Sequence, residues 1–408
     1  MRRFRTLAWK RGWRMPVWLT AAAIAVAAAP ADGQQRTLRG EIDLTIGVIE
    51  GEPEYLFEDI GGLTRDADGR IYVGDSGARE VRVYGPDGRY LFQVSGPGEG
   101  PGEFSRGTCG ILFDPDGHLW VNAWDSYKVF DVLEDRANYV REVPPPDERR
   151  QVMAEGNRPI ATAGGTICVN PMFAGPTGLT LATDSVSVGE RDELLHHRQH
   201  AIIESSGAVG TRITLLERDL GATNWPVAVW RHPDHGRREM GVQPPFASRN
   251  IWVHTPDARS AHLYTREYLV QLFTEEGDVW REIRRDIPGP LITEAEARRE
   301  RERLEAMRRA FRDMLIDFPS IEMPERKPPV GDMWYDEDGR LWVRLAWAEA
   351  DEVLRAHVYD PDGALLFTAE WPRGIDLTLG GVSGDVALGV QRMEFDVQRV
   401  VRLRFSPR

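Results

Sequence analysis

Six of the nine histidines fall between residues 196 and 254: His196, His197, His200, His232, His235 and His254. The strings HHRQH and HPDH space imidazoles as zinc ligands are often spaced. Neither is completed by a second ligand pair or a placed carboxylate, so they read as surface-loop histidines. There is no Gly-x-Ser-x-Gly elbow and no Cys/His pairing that suggests a nucleophile. Oxygen donors offer a different chemistry. Glu58 and Asp59, with Asn122 and Asn170, hold the carboxylate and amide oxygens that calcium coordinates, provided the fold brings them to one axis. The competing reading is that the asparagines satisfy turn backbones and Glu58 faces solvent.

The elements that must position these residues are short strands. Residues 61–95 read GGLTRDADGRIYVGDSGAREVRVYGPDGRYLFQVS. The dipeptides Asp68-Gly69 and Asp87-Gly88 separate alternating, β-branched runs, which is a strong hairpin signal. Four strands in about forty residues make an antiparallel meander. The pattern returns at CGILFDPDGHLWVNAWDSYKVFDV, where Asp116-Gly117 stands 48 residues after Asp68-Gly69. Weaker copies occur at Gly164–Val169 and Asn250–Val253, a clear one at MWYDEDGRLWVRL, and a faded one from Val382. A period in the forties with four strands per unit signals a β-propeller. GPGEGPGEF, residues 96–104, then carries the chain from the last strand of one unit to the first strand of the next. No helix follows it, so it is not a phosphate loop.

These stretches resemble the NHL-type repeat of six-bladed β-propellers, and most of all its exported bacterial members. The Asn-His pair that names the repeat is replaced by Ala78-Arg79. The expected fold is all-β: a six-bladed propeller with four-stranded antiparallel blades. Its blades span 55–95, 104–145, 150–215, 225–285, 327–370 and 371–405. Five or seven blades are the alternatives, because residues 172–241 match the repeat poorly. The last unit has only three strands, and Leu38–Gly51 alternates like a strand. That segment is expected to complete the last blade and remove its open edge.

In such blades the start of the first strand and the end of the second share one face. Aligned second strands place Gly74, Asn122, Asn170, His254, Arg344 and Gly389 there, with Glu58 and Asp59. The resemblance implies two metal precedents: six-bladed lactonases hold calcium on this plan, and amidating lyases hold zinc in the channel. No motif of either enzyme is present. Two function classes follow. One is a non-catalytic module binding a protein, peptide or glycan at one face. The other is a metal-dependent hydrolase or lyase, with Glu58, Asn122 and Asn170 as the metal set.

Residues 1–31 read as a secretory signal: six cationic side chains, an apolar run at Val17–Ala29, and the small-x-small pattern Ala29-Pro30-Ala31. The run is short for a span of about 20 residues, which favours cleavage over an anchor. The expected location is periplasmic or secreted, and the expected state a monomer without a membrane span. Cleavage removes six positive charges and no negative ones from a formal net charge of −13, leaving a more acidic surface. Nucleic acid and anionic lipid are poor partners for it. Cys109 and Cys168, the only cysteines, are a disulfide candidate in an exported chain.

One segment breaks the β pattern. Between residues 288 and 326, Thr293 and Glu296 form a capping box. Leu304, Met307, Phe311, Met314, Leu315 and Phe318 follow at helical spacing. The reading is an amphipathic helix inserted between the fourth and fifth blades. It either packs on the ring or offers a surface to a partner or a membrane.

Overall fold

The computed structural model describes residues 36–114, 116–123, 126–143, 172–175, 178–188, 194–204, 209–218, 226–232, 236–254, 260–274, 278–310, 312 and 314–408. The signal segment lies outside them, as does the repeat copy at 164–169. β1 is Thr37–Ile46. An antiparallel sheet follows from β2 (Ile60–Arg65), β3 (Ile71–Asp75), β4 (Glu80–Tyr84) and β5 (Tyr90–Ser95). The next holds β6 (Ile111–Phe113), β7 (Leu119–Asn122), β8 (Tyr127–Val132) and β9 (Ala137–Val143). A third holds β10 (Met172–Gly175), β11 (Gly178–Val188), β12 (Leu194–Glu204) and β13 (Val209–Arg218).

The span 225–285 divides between two sheets. The hairpin β14 (Val227–His232) and β15 (Gly236–Gly241) stands apart from β16 (Asn250–His254), β17 (Ser260–Tyr264), β18 (Tyr268–Phe273) and β19 (Val279–Arg285). Asn250–His254 is thus the first strand of its sheet rather than the second, and Ser260–Tyr264 is the second. Helix α1 (Glu294–Ala310) follows, and β20 (Leu315–Asp317) pairs with β14. The apolar spacing continues past Ala310, but Leu315 sits in a strand, because β14 offers the backbone a sheet partner there.

The capping box forms as expected. Thr293 N donates to Glu296 Oε2 at 3.0 Å, and Glu296 N donates to Thr293 Oγ1 at 3.2 Å. Leu304 and Met307 are half-buried, and within the helix only Glu296 and Ala297 are fully buried. Its two stalks run antiparallel, with Ile292 N donating to Glu325 O and Lys327 N to Pro290 O.

The last and largest sheet begins with β21 (Val330–Tyr335), β22 (Leu341–Leu345), β23 (Val353–Tyr359) and β24 (Leu365–Pro372). Beyond it lie the short β25 (Ile375–Asp376) and β26 (Val382–Ser383), then β27 (Val386–Arg392) and β28 (Gln398–Pro407). β1 runs antiparallel along β28 from Leu38↔Pro407 to Ile46↔Val400, and parallel to β24 over three residues. A register shift between Ile42 and Leu44 isolates Asp43, which pairs with Arg402 at 2.8 Å and Arg404 at 3.4 Å.

The core is a series of seams between neighbouring sheets. Successive residues of a strand face opposite sides, and both sides are buried here. Ile71 and Val73 pack with Ile46, Leu388 and Val400, while Tyr72 packs toward Ile111 and Phe130 on the other side. Leu341 and Val343 join Val270 and Leu272, whereas Trp342 joins Trp371, Leu403 and Phe405. Trp252 does not share the place of Trp120 and Trp342: it lies on a first strand, against His262 and Phe273.

One turn recurs under these aromatics. Asp66, Asp114 and Asp336 each accept backbone N–H bonds from residues two and four ahead, at 2.8–3.1 Å. Their second oxygens accept from Tyr72 Oη, Trp120 Nε1 and Trp342 Nε1 at 2.9, 2.8 and 2.7 Å. Gly69, Gly117 and Gly339 supply the positive φ that each turn needs. Arg70 and Arg340 add a guanidinium at 2.6 Å in two of the three.

GPGEGPGEF spans from β5 to β6 as a compact loop. Phe104 N donates to Gly96 O, Glu103 Oε2 accepts from Gly100 N, and Phe104 is fully buried in the seam. A Cβ at Gly98 would collide with Glu103.

Two outcomes are expected from this architecture. Asp336→Ala should destabilise by about 3 kcal/mol in urea unfolding, since it strands the Trp342 N–H and two backbone donors in a buried turn. Ile46→Ala, at the inner end of β1, should lose about 3 kcal/mol in the same assay. A change under about 1 kcal/mol would show that β1 is a loosely held tail.

Candidate functional site

Each hairpin brings the start of its first strand and the end of its second to one end of the sheet, and Asp75, Asp332 and Arg344 stand at that end. Asp75 closes β3 and is fully buried. Its carboxylate accepts from Glu58 N, Asp59 N and Ala78 N at 3.0–3.1 Å. Gln398, which opens β28, accepts from Ile60 N at 2.7 Å and donates to Asp59 Oδ1 at 3.3 Å. The backbone before β2 is therefore fixed by two buried side chains, while the Glu58 side chain is exposed. Asn122 ends β7 and is buried; its backbone N–H donates to Gly110 O and its carbonyl accepts from Cys109 N. Asn170 lies outside the described residues. Cys109 is disulfide-bonded, and Cys168, the only other cysteine, also lies outside them.

At the same end of the largest sheet, Asp332 stands directly opposite Arg344 in the β21–β22 register. The two form an ion pair at 3.1 Å, with both side chains largely buried. The Arg344 guanidinium also lies 5.4 Å from the Trp347 ring centroid. Burial pushes the Asp332 carboxyl above its usual range, and Arg344 and then Arg249 pull it back. Arg249 donates to the Gly331 carbonyl beside it. Arg344 lies near the end of β22, as the aligned second strands have it; neither Asp332 nor Arg249 is among the residues that the alignment marks. The signal for Asp332 was present: counting back across the Asp336–Gly339 turn pairs it with Arg344.

His254 is placed differently from its expected position. It ends a first strand and pairs with Ser260 at the start of β17, the end of the sheet away from this face. Leu263 takes the position in β17 that Arg344 takes in β22, by register with β18 and β23. His196, His197 and His200 lie on β12 and His232 on β14. His235 is outside the described residues.

Among the described residues one group of three His, Cys, Asp or Glu side chains has metal-ligand proximity: Asp114, Asp116 and His118, with ligand atoms within 4.8 Å of one another. It lies in the β6–β7 turn, away from Asn122. Its Asp114 carboxylate already holds Asp116 N, His118 N and Trp120 Nε1, as Asp66 and Asp336 do in turns with no such cluster. The turn itself accounts for it.

The inserted segment meets the face at the β22–β23 loop. Arg299 pairs with Glu349 at 2.8 Å, and Lys327 pairs with Glu296 and donates to Trp347 O at 2.9 Å. Between the upper ends of β18 and β19 and the returning stalk lies a cleft of about 630 Å³. Its floor is Tyr268, whose hydroxyl contacts His357 Nδ1 at 3.0 Å and Tyr359 Oη at 2.7 Å. Arg285 Nε donates to Tyr359 Oη at 2.8 Å. Burial first, and Arg285 second, push the His357 imidazole down to about 4.

Residues 48–108 match the DUF5128 family, described as a 6-bladed beta-propeller. The fold is a β-propeller. The chain is also similar to solved structures at low identity. A DUF4221 family member from Bacteroides vulgatus shares 9% identity over 92% of this chain and 99% of its own, with a TM-score of 0.44. Regucalcin, a calcium-binding protein from Agrobacterium tumefaciens, shares 12% over 90% and 96%, with a TM-score of 0.39. Virginiamycin B lyase from Staphylococcus aureus shares 13% over 85% and 96%, with a TM-score of 0.36. No curated protein matches the chain. Among the described residues no helix of the propeller is long and apolar enough to cross a membrane.

The His357 network sets a pH dependence. A histidine depressed from 6.5 to about 4 binds fewer protons folded than unfolded. Its contribution to stability is complete above pH 6.5 and is lost as pH falls toward 4, by up to about 3 kcal/mol. Thermal melts across that window should show the loss in the parent, and a flatter profile in His357→Gln.

Proposed function

We propose that the chain is an exported, non-catalytic binding module: a six-bladed propeller of NHL-repeat type that takes a protein, peptide or glycan at the face bearing the inserted helix. Its blades are β2–β5, β6–β9, β10–β13, β16–β19, β21–β24, and β26–β28 completed by β1. The observation that carries this reading is how the charged residues of that face are used. Asp75 holds backbone donors, and Asp332 and Arg344 hold each other. These groups build the mouth, and catalysis would need some of them free at a reacting atom. The inserted segment adds a cleft of ligand size to the same face. The secretory reading of residues 1–31 supports export.

The alternative is the metal-dependent hydrolase or lyase with Glu58, Asn122 and Asn170 as its metal set. Elemental analysis of purified protein, with calcium and zinc titrations followed by melting temperature, separates the two. The binding module is expected to carry no stoichiometric metal and to show no saturable shift. A saturable calcium shift that Glu58→Ala abolishes would establish the metal reading instead.

A further inference from the structure

We infer that the cleft between blade four and the inserted stalk is an oxyanion site, taking a small organic molecule with several carboxylate or phosphate groups and an apolar body. This rests on the reading of that face as a binding surface and adds a small-molecule ligand, distinct from the protein, peptide or glycan. The charge balance of the cleft is the first argument. Glu267 neutralises Arg284 at 2.8 Å, and Glu296 neutralises Lys327. That leaves Arg266, Arg285 and Arg326 along the cleft with Asp286 as the only other carboxylate of its lining. This is a local cationic excess in a chain whose formal net charge is −13.

The second argument is how these cations are held. Arg285 Nε donates to the Tyr359 hydroxyl, and Arg326 Nη1 donates to the Gly289 carbonyl at 2.9 Å. Both acceptors are neutral, and among the described residues neither guanidinium has an ion pair. A guanidinium has five N–H donors and suits bidentate oxyanions. Arg266 is exposed and forms no ion pair among the described residues.

The third argument is the wall. Phe246 holds φ of +51°, a left-handed conformation that bulky residues rarely adopt. Its ring lies 5.8 Å from the Lys327 ammonium. With Tyr268 below and prolines in both stalks, the cleft pairs rigid apolar surface with fixed cations. A volume of about 630 Å³ is that of a small-molecule site.

Calorimetric titration of the full chain with citrate, pyrophosphate and neutral sucrose tests this. Citrate or pyrophosphate should bind saturably and sucrose should not, and whichever anion binds tighter identifies carboxylate or phosphate as the preferred head group. Arg266→Glu and Arg326→Glu should each weaken binding at least tenfold, while Arg308→Glu, on the exposed side of the helix, leaves it unchanged. Arg266 is exposed and has no ion pair among the described residues, so its variant remains informative if Arg326→Glu unfolds. Binding of neither anion, or equal weakening by Arg308→Glu, overturns the site. If neither anion binds but peptide or glycan arrays retain the protein, the oxyanion site fails and the binding-module reading stands. If neither anion binds and calcium shifts the melting temperature through Glu58, both fail.

Discussion

The carboxylates of Asp66, Asp114 and Asp336 are the interaction on which three of the described sheets depend. Each closes the turn between the first and second strands of its sheet and grips the ring of the aromatic residue six positions ahead. The Tyr72 and Trp342 rings are wedged into the next seam, and the apolar residues on either side of each fill the previous one; Trp120 packs with Tyr127, Val129 and Val143 of its own sheet. One side chain thereby couples turn geometry, strand register and inter-blade packing. A propeller blade has no stable state alone, since both of its faces are apolar and each needs a neighbour. The polar tip of the wedging ring would be a liability in a dry seam, and the turn carboxylate removes it.

The same logic explains why the ends of the blades can differ. The turn end is repeated and committed, as the Asp114–Asp116–His118 group illustrates: its ligand-like spacing comes from the turn. The opposite end is where the blades diverge. Gly74, Asn122, Leu263 and Arg344 occupy corresponding places, and only some are polar; Gly389, aligned with them by sequence, faces the other seam, against Ile375 and Leu377. Asp332–Arg344 and Asp75 stabilise that end locally. Long connections, the α1 insertion and its proline-rich stalks have accumulated at that end, because loops there do not interrupt a seam.

The insertion and the β14–β15 hairpin form one unit through β20. Two segments separated by more than seventy residues thus share a sheet outside the repeat. The buried Glu296–Lys327 pair, the Thr293 cap and the Arg299–Glu349 contact fasten that unit to the loop after β22. Its cleft is lined from the β16–β19 sheet on one side and from the stalk on the other, so its cations come from three stretches of chain.

Much of this architecture was legible in the sequence because it is local. Asp-Gly turns between alternating runs, the aromatic at a constant offset, the capping box and the strand-like N-terminus each encode their structure within a dozen residues. The pairing of β1 with β28 followed from counting strands in the last unit. What local pattern could not supply is the identity of a strand within its sheet. Asn250–His254 looks like a second strand, and only the pairing with Ser260–Tyr264 makes it the first, which carries His254 to the far end. Nor does helical spacing past Ala310 reveal that β14 waits to take Leu315 into a sheet. Periodicity specifies which face of an element is apolar. Which partner covers that face, and so which charged groups meet at a mouth or in a cleft, is decided by contacts between residues far apart in the chain, and those exist only in the folded ring.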